Sequence, residues 1–187
     1  MTAETRTVVS VMVLLASVSC GRSWIEVAPP DAPFKVLMPG VPEGHTQARS
    51  GAGEPVSVHI IGARASRLPF PLASVTFYSV YYFRTPASLS AGTAAARLDR
   101  ERAWLLELPG TKVVSERETE VSGWPARDII VTTTDGQTTI EGKARLVVAG
   151  DLVIGLRVLS ASLARNRGDI DRFFDSLLIV PPADGEH

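Results

Sequence analysis

The sequence predicts an α+β domain: an antiparallel sheet of about six to seven strands with helices packed on its faces. Three observations carry this. Short apolar runs alternate with period two over much of the chain, separated by Pro, Gly and Asp-Gly punctuation. Two stretches, one mid-chain and one near the end, switch to helical spacing. The connections between the later strands are short, which suits an antiparallel meander and not parallel crossovers of a dozen or more residues.

Of the 187 residues, 45% are hydrophobic, enough for one globular domain of ordinary size. The 19 basic and 20 acidic residues give a net charge of −1, which argues against nucleic acid as a partner and against an acidic membrane surface as the attractant. No repeat at solenoid spacing is present.

The chain opens with Arg6 and an apolar run, Val8 to Ser19, that ends at Cys20, the only cysteine. This run has the length of a signal-peptide core and is shorter than the roughly 20 residues a membrane-spanning helix needs. Small residues before one cysteine, with Gly21 after it, make a bacterial lipoprotein export signal in which Cys20 becomes the lipidated first residue. Ser17 stands where such signals usually carry Leu. Ser17-Val18-Ser19 also reads as an ordinary small-x-small cleavage site, and an uncleaved or mis-assigned start is a third reading. One thiol cannot pair within the chain. Lipidation with several chains would hold the protein firmly to a membrane, at ~0.8 kcal/mol per buried methylene.

Trp24-Ile25-Glu26-Val27 follows, then the Pro29-Pro30 step. Phe34, Val36 and Met38 share one strand face, and Pro39-Gly40 ends that strand. Residues 41–53 read as a loop or frayed strand. Val56 to Ala65 and Leu72 to Phe83 read as strands around a turn at Arg67–Pro71, where Pro69 and Pro71 block pairing. In the second, Val75, Phe77, Ser79 and Tyr81 face one way and Thr76, Tyr78, Val80 and Tyr82 the other. Both sets are largely apolar or aromatic, so the strand reads as central and covered on both faces.

Ser88 to Leu108 reads as a helix with Ser88 as N-cap and Pro109-Gly110 as the stop. Its apolar stripe is Ala91, Ala94, Ala95, Leu98 and Leu105. Arg102 falls within the stripe and reads as a side chain snorkelling from its edge, with a buried, paired arginine as the alternative.

Lys112 to Val121 reads as an edge strand. Ala126 to Thr133 runs to the hairpin signal Asp135-Gly136. Ile140 to Val148 places Ile140, Gly142, Ala144, Leu146 and Val148 on one face. Leu152 to Ser160 places Ile154, Leu156 and Val158 inward. Ile170, Phe173, Phe174, Leu177 and Leu178 then recur at helical spacing, with Asp169 as the expected cap and Pro181-Pro182 as the end.

Several of these segments together resemble one known group: Trp24-Ile25-Glu26-Val27, Phe34-Lys35-Val36-Leu37-Met38-Pro39-Gly40-Val41-Pro42, Tyr78-Ser79-Val80-Tyr81-Tyr82, Gly123-Trp124-Pro125-Ala126-Arg127-Asp128 and Arg172-Phe173-Phe174-Asp175-Ser176-Leu177. They resemble bacterial envelope proteins related to PsbP, the extrinsic photosystem II subunit. The resemblance implies a PsbP-like α/β/α sandwich and a non-catalytic binding or assembly role. It supplies no catalytic residues. Ala126 stands where relatives often have glycine.

The candidate chemistry is thin. His45 lies in the expected loop, His59 in a strand and His187 at the terminus, and no pair has metal-ligand spacing. No Gly-x-Ser-x-Gly elbow exists, and Ser115, Ser122 and Ser160 read as ordinary strand or turn residues. Glu116, Glu118 and Glu120 put three carboxylates on one strand face, a conceivable cation site or carboxylate pair, but more simply a solvated edge that discourages aggregation. Gly51-Ala52-Gly53-Glu54 lacks the helix that would make a phosphate loop. Arg97, Arg100 and Arg102 read as a mixed-charge helix surface.

The expected organisation is a signal peptide at 1–19, a lipidated tether at 20–33, the α+β domain at 34–180 and a polar tail at 181–187. The expected function is a membrane-tethered, non-catalytic binding or assembly module of the bacterial cell envelope, facing the periplasm or exterior. Its partners would be the membrane, through Cys20, and an envelope protein. No cofactor, metal or catalytic residue is expected. The alternatives are a carrier of a lipid or other apolar ligand, motivated by Phe77, Tyr78, Tyr81, Tyr82 and Phe83, and a hydrolase built on His59 with a nearby carboxylate.

Overall fold

The computed structural model describes residues 23–49, 55–66, 75–86, 92–136 and 138–180. Cys20 and the signal, the Gly51–Glu54 stretch, the Arg67–Pro71 turn, Ser88, Ala91, the polar tail and His187 lie outside the described residues.

Seven strands form one antiparallel sheet: β3 (Glu43–Arg49), β4 (Val56–Ser66), β5 (Val75–Arg84), β6 (Thr111–Val121), β7 (Trp124–Asp135), β8 (Thr138–Ala149) and β9 (Leu152–Ser160). Their order is β3-β4-β5-β9-β8-β7-β6. Two meanders thus meet where β5 pairs with β9, and the edges are β3 and β6. A smaller sheet, β1-β2-β10, is built from β1 (Trp24–Val27), β2 (Phe34–Pro39) and β10 (Leu178–Ile179). Helix α1 (Ala94–Leu105) packs on β7 and β8, and α2 (Arg167–Asp175) packs on β2. The two helices serve separate cores. Phe34, Val36, Met38, Tyr78, Ile154, Leu156, Val158, Phe173 and Phe174 lie in the core on the α2 side. Tyr81, Phe83, Leu98, Leu105, Ile129, Leu146 and Val153 lie in the core on the α1 side. This is the α+β architecture the sequence predicts, with helices on opposite faces.

Several local expectations change. Trp24–Val27 pairs with β2, and Val27 and Ala32 are buried, so the folded domain takes in residues within the expected tether. Residues 43–49 form a regular strand in full register with β4. Nearly all of its side chains are exposed, and that hid it: an edge strand with no buried face leaves no hydrophobic alternation.

Helix α1 begins at Ala94, where the Thr93 hydroxyl accepts the Ala96 N–H at 3.2 Å as an N-cap. Its buried face is Arg97, Leu98, Glu101 and Leu105, while Ala95 is exposed. The arginine held inside is therefore Arg97, which donates to Thr85 Oγ1, Gly150 O and Asp151 O. Arg102 sits at the edge and pairs with Glu116 at 2.7 Å.

At the C-terminal end, a 3-10 turn (Ala164–Asn166) leads into α2. Asp169 lies within the first turn of α2 and does not cap it. The helix stops at Asp175. Ser176 accounts for the stop: its hydroxyl donates to Phe173 O at 2.8 Å and accepts the Leu37 N–H at 2.9 Å. Leu178 therefore belongs to β10 and is half-exposed. The β6–β7 turn is Ser122-Gly123, both at positive φ (51° and 80°), as a two-residue type I′ hairpin requires.

Candidate functional site

Helix α1 covers only part of its sheet face. The ladder registers show what the rest holds. Arg64, Phe77 and Leu159 make one row across β4, β5 and β9. Glu43, Gly62, Ser79 and Arg157 make the next row, across β3, β4, β5 and β9. His45, Ile60, Tyr81 and Gly155 make the third. The middle row is low, because Gly62 has no side chain and Ser79 has a short one. A trough of about 630 Å³ results, with Val41 at one end.

The first half of β5 is responsible. Tyr81 and Phe83 are buried under α1, but Val75 and Phe77 on the same face are 41% and 45% exposed. The expectation that β5 is covered on both faces holds only for its second half. A 12-residue helix spans roughly 18 Å at 1.5 Å per residue, which is shorter than the breadth of a seven-stranded sheet at about 4.8 Å per strand.

Arg157 is the informative side chain of this trough. It sits on central strand β9 between the inward-facing Leu156 and Val158, and it is half-buried. Burial pushes its guanidinium below the usual range, with Tyr81 acting weakly the other way. Among the described residues its guanidinium meets no carboxylate and no hydrogen-bond acceptor. The other half-buried or buried arginines among the described residues are paired: Arg97 as above, Arg49 with Glu101, Arg102 with Glu116, Arg127 with Asp99, and Arg145 with Asp128. Arg64 lies 5.4 Å over the Phe77 ring, so the one wall is both aromatic and cationic.

Tyr81, in the third row, is buried under α1 beside the trough. A Cβ added at Gly155 would run into the hydroxyl end of its ring, which meets Trp104 edge-on at 5.2 Å. Burial, and then the nearby Glu101 charge, push its hydroxyl well above the ordinary range, so it stays neutral.

The other sequence candidates resolve into structural roles. His45 lies on strand β3, not in a loop, and lines the trough. His59 lies on the opposite sheet face. Its Nδ1 is 3.2 Å from Thr46 Oγ1, and its ring stacks on Tyr82 at 4.9 Å. A carboxylate is indeed nearby, Asp31, but its oxygen is 3.7 Å from Nε2, too far for a hydrogen bond. Asp31 instead accepts the Tyr82 hydroxyl at 2.8 Å. The group fastens the β1–β2 loop to the sheet, and the hydroxyl–imidazole–carboxylate relay a hydrolase needs is not connected.

Glu116 and Glu118 face Arg127, at 3.2 and 3.6 Å. Arg127 also donates to Asp99 at 2.6 Å. Burial lowers the Arg127 guanidinium, but the Asp99 hydrogen bond and the surrounding carboxylates more than offset this. These acids are neutralised by arginine. Among the described residues no group of three or more His, Cys, Asp or Glu could hold a metal ion. Ser160 is locked in a buried network, accepting from Asn166 Nδ2 at 3.0 Å beside Thr76. Ser122 accepts the Ile179 N–H from the β6–β7 turn.

Sequence reading missed Arg157. The available signal was a lone cation in Leu156-Arg157-Val158, inside a strand with apolar residues on both faces.

No family model matches the chain, and no curated protein matches it. Solved structures share its fold. Cyanobacterial PsbP (CyanoP) from Synechocystis sp. PCC 6803 is 15% identical, covering 86% of this chain and 97% of its own, with a TM-score of 0.55. PA94 from Pseudomonas aeruginosa, of unknown function, is 12% identical over 86% of this chain and 99% of its own, with a TM-score of 0.52. LpqN, involved in cell envelope biogenesis of Mycobacterium tuberculosis, is 12% identical over 85% of this chain and 91% of its own, with a TM-score of 0.50. At such identities the likeness concerns the fold, and the fold is PsbP-like. Among the described residues no helix is long and apolar enough to cross a membrane.

Proposed function

We propose that this chain is a membrane-tethered, non-catalytic binding module of the bacterial cell envelope, and that it engages its partner through the open half of the α1 sheet face. The observation that carries the reading is Arg157, a half-buried arginine whose guanidinium has no partner among the described residues, set among Phe77, Leu159, Ile60 and Arg64. Arginine and aromatic side chains in partly desolvated settings dominate the energetics of protein interfaces. Folding alone gives no reason to keep an uncompensated cation there.

The apolar run ending at Cys20, read as an export signal, supports the tether and the envelope address, and LpqN, involved in cell envelope biogenesis, shares the fold. The carrier reading draws on the same trough. Its lining is open to solvent, with Val41 78% exposed, whereas ligand-carrying sites enclose most of their ligand. The surface reading is therefore the better supported.

The test is affinity purification of the full-length chain from detergent-solubilised envelope. A stoichiometric partner is expected with the wild type and with Val114→Ser on the exposed edge strand β6, and its loss with Phe77→Ser. Recovery of the protein alone, or equal recovery with Phe77→Ser, overturns the proposal.

A further inference from the structure

The chemistry of the open face specifies what it holds. Among the described residues its charged groups are Arg64 and Arg157, with the imidazole of His45, against one carboxylate, Glu43. The chain as a whole carries a net charge of −1, so this basic character is local. Resting on the reading of this face as the binding surface, we propose that the occupant is an extended segment of a partner protein that lays a carboxylate, flanked by apolar side chains, against Arg157.

The trough sets the shape. Its floor crosses β3, β4, β5 and β9 along Glu43, Gly62, Ser79 and Arg157. Three inter-strand spacings of about 4.8 Å make it roughly 14 Å long, the reach of about four to five extended residues. At Gly62 an added Cβ would come no closer than 3.6 Å to any heavy atom, Tyr78 O, so the floor is unfilled there. Phe77 and Leu159 on one side and Ile60 on the other offer apolar walls along it. The blind end is cationic. A carboxylate arriving there meets a guanidinium whose hydration is already reduced, and a fork-shaped donor suits it.

A free amphiphile fits less well: it needs most of its surface enclosed, and Phe77 and Val41 leave this trough open along its outer side.

The experiment uses the full chain in its native envelope, with the photocrosslinker p-benzoylphenylalanine in place of Phe77 and, as control, in place of Val114. Crosslinked segments are identified by mass spectrometry. The expected adduct is one protein segment with Asp or Glu within two residues of the crosslinked position and apolar residues beside it. A synthetic copy of that segment should bind the purified full chain. Exchange of its acid for the amide should weaken binding at least tenfold. Arg157→Gln should do the same, with no further loss when the two changes are combined. Arg157→Gln should melt within a few degrees of the wild type, since the side chain makes no ion pair; the peptide-side exchange tests the claim independently of that variant. A segment without a carboxylate, additive losses, a lipid adduct or an adduct to a second copy overturns this inference while leaving the open face as the binding surface. No adduct above the Val114 control overturns both.

Discussion

Arg127 and Asp128 are neighbours on β7 and reach opposite faces of the sheet, each securing a different helix. Arg127 donates to Asp99 of α1 at 2.6 Å. Asp128 takes a forked pair of hydrogen bonds from Arg145, at 2.6 and 3.0 Å, and Arg145 in turn donates to Phe174 O near the end of α2 at 3.0 Å. One dipeptide therefore fixes both outer layers of the sandwich. Strand geometry makes this possible, because successive side chains alternate between faces.

Removing one member of the second pair should be costly. Asp128 and Arg145 side chains are only 8% and 12% exposed, so Asp128→Asn leaves a buried guanidinium short of its counter-charge. A loss of about 3 kcal/mol is expected in urea unfolding at neutral pH, and Arg145→Gln should lose a similar amount. The double variant should lose much less than the sum.

The same pair predicts an acid dependence. Burial alone would raise the Asp128 carboxyl, but the hydrogen bonds and charges of Arg145 and Arg117 hold it below the usual carboxylate range. A group depressed in the folded state contributes fully above its unfolded pKa, near 4, and its contribution vanishes as pH falls through the lower folded value. The stability gap between wild type and Asp128→Asn should therefore be flat above about pH 5 and shrink below about pH 4. A gap that widens on acidification would contradict this assignment.

Edge strand β3 is held to α1 by Arg49, which pairs with Glu101 at 2.7 Å and stacks over Trp104 at 4.6 Å. The Glu101 carboxylate is 4% exposed. Glu101→Gln should cost about 2 to 3 kcal/mol, given that Arg49 keeps some contact with water. Amide exchange should show the loss of protection concentrated in β3 and the outer half of β4, with β8 and β9 changed least.

Gly155 lies under the Tyr81 ring, and a methyl group there has no room. Gly155→Ala should destabilise by about 1 to 3 kcal/mol through overpacking. Because the clash is with one side chain, Tyr81→Ala should cost less in the Gly155→Ala background than alone, and a thermodynamic cycle measures that coupling.

Cys20 makes the tether testable directly. Metabolic labelling with a fatty acid should mark the wild type and leave Cys20→Ala unlabelled, and the variant should move to the soluble fraction. A labelled Cys20→Ala protein would reject the anchor.

The sheet was the most legible part of the fold. Strands β5, β7, β8 and β9 carry side chains on at least one buried face, and burial imposes the period-two pattern on their residues. Edge strand β3 was not legible, because Glu43–Arg49 is exposed almost throughout and nothing selects apolar residues there. Helix α1 was placed but its face misassigned. The apolar count favoured Ala95 over Arg97 and Glu101, which become buried only because Thr85, Gly150, Asp151 and Arg49 come from distant parts of the chain to meet them. The end of α2 was overrun by three residues, since helical spacing continued through Leu178 while Ser176 turned its hydroxyl to β2.

The sequence by itself determined the layered α+β class and the order of nearly all elements. Each follows from a local property, periodicity or turn chemistry. Tertiary structure decided which charges are satisfied and which are not. Arg97, Arg127 and Arg157 look alike as letters in a chain. Carbonyls and carboxylates brought from distant turns, strands and helices close around the first two, while α1 stops short of the third, and that difference leaves Arg157 at the end of the trough without an acceptor among the described residues.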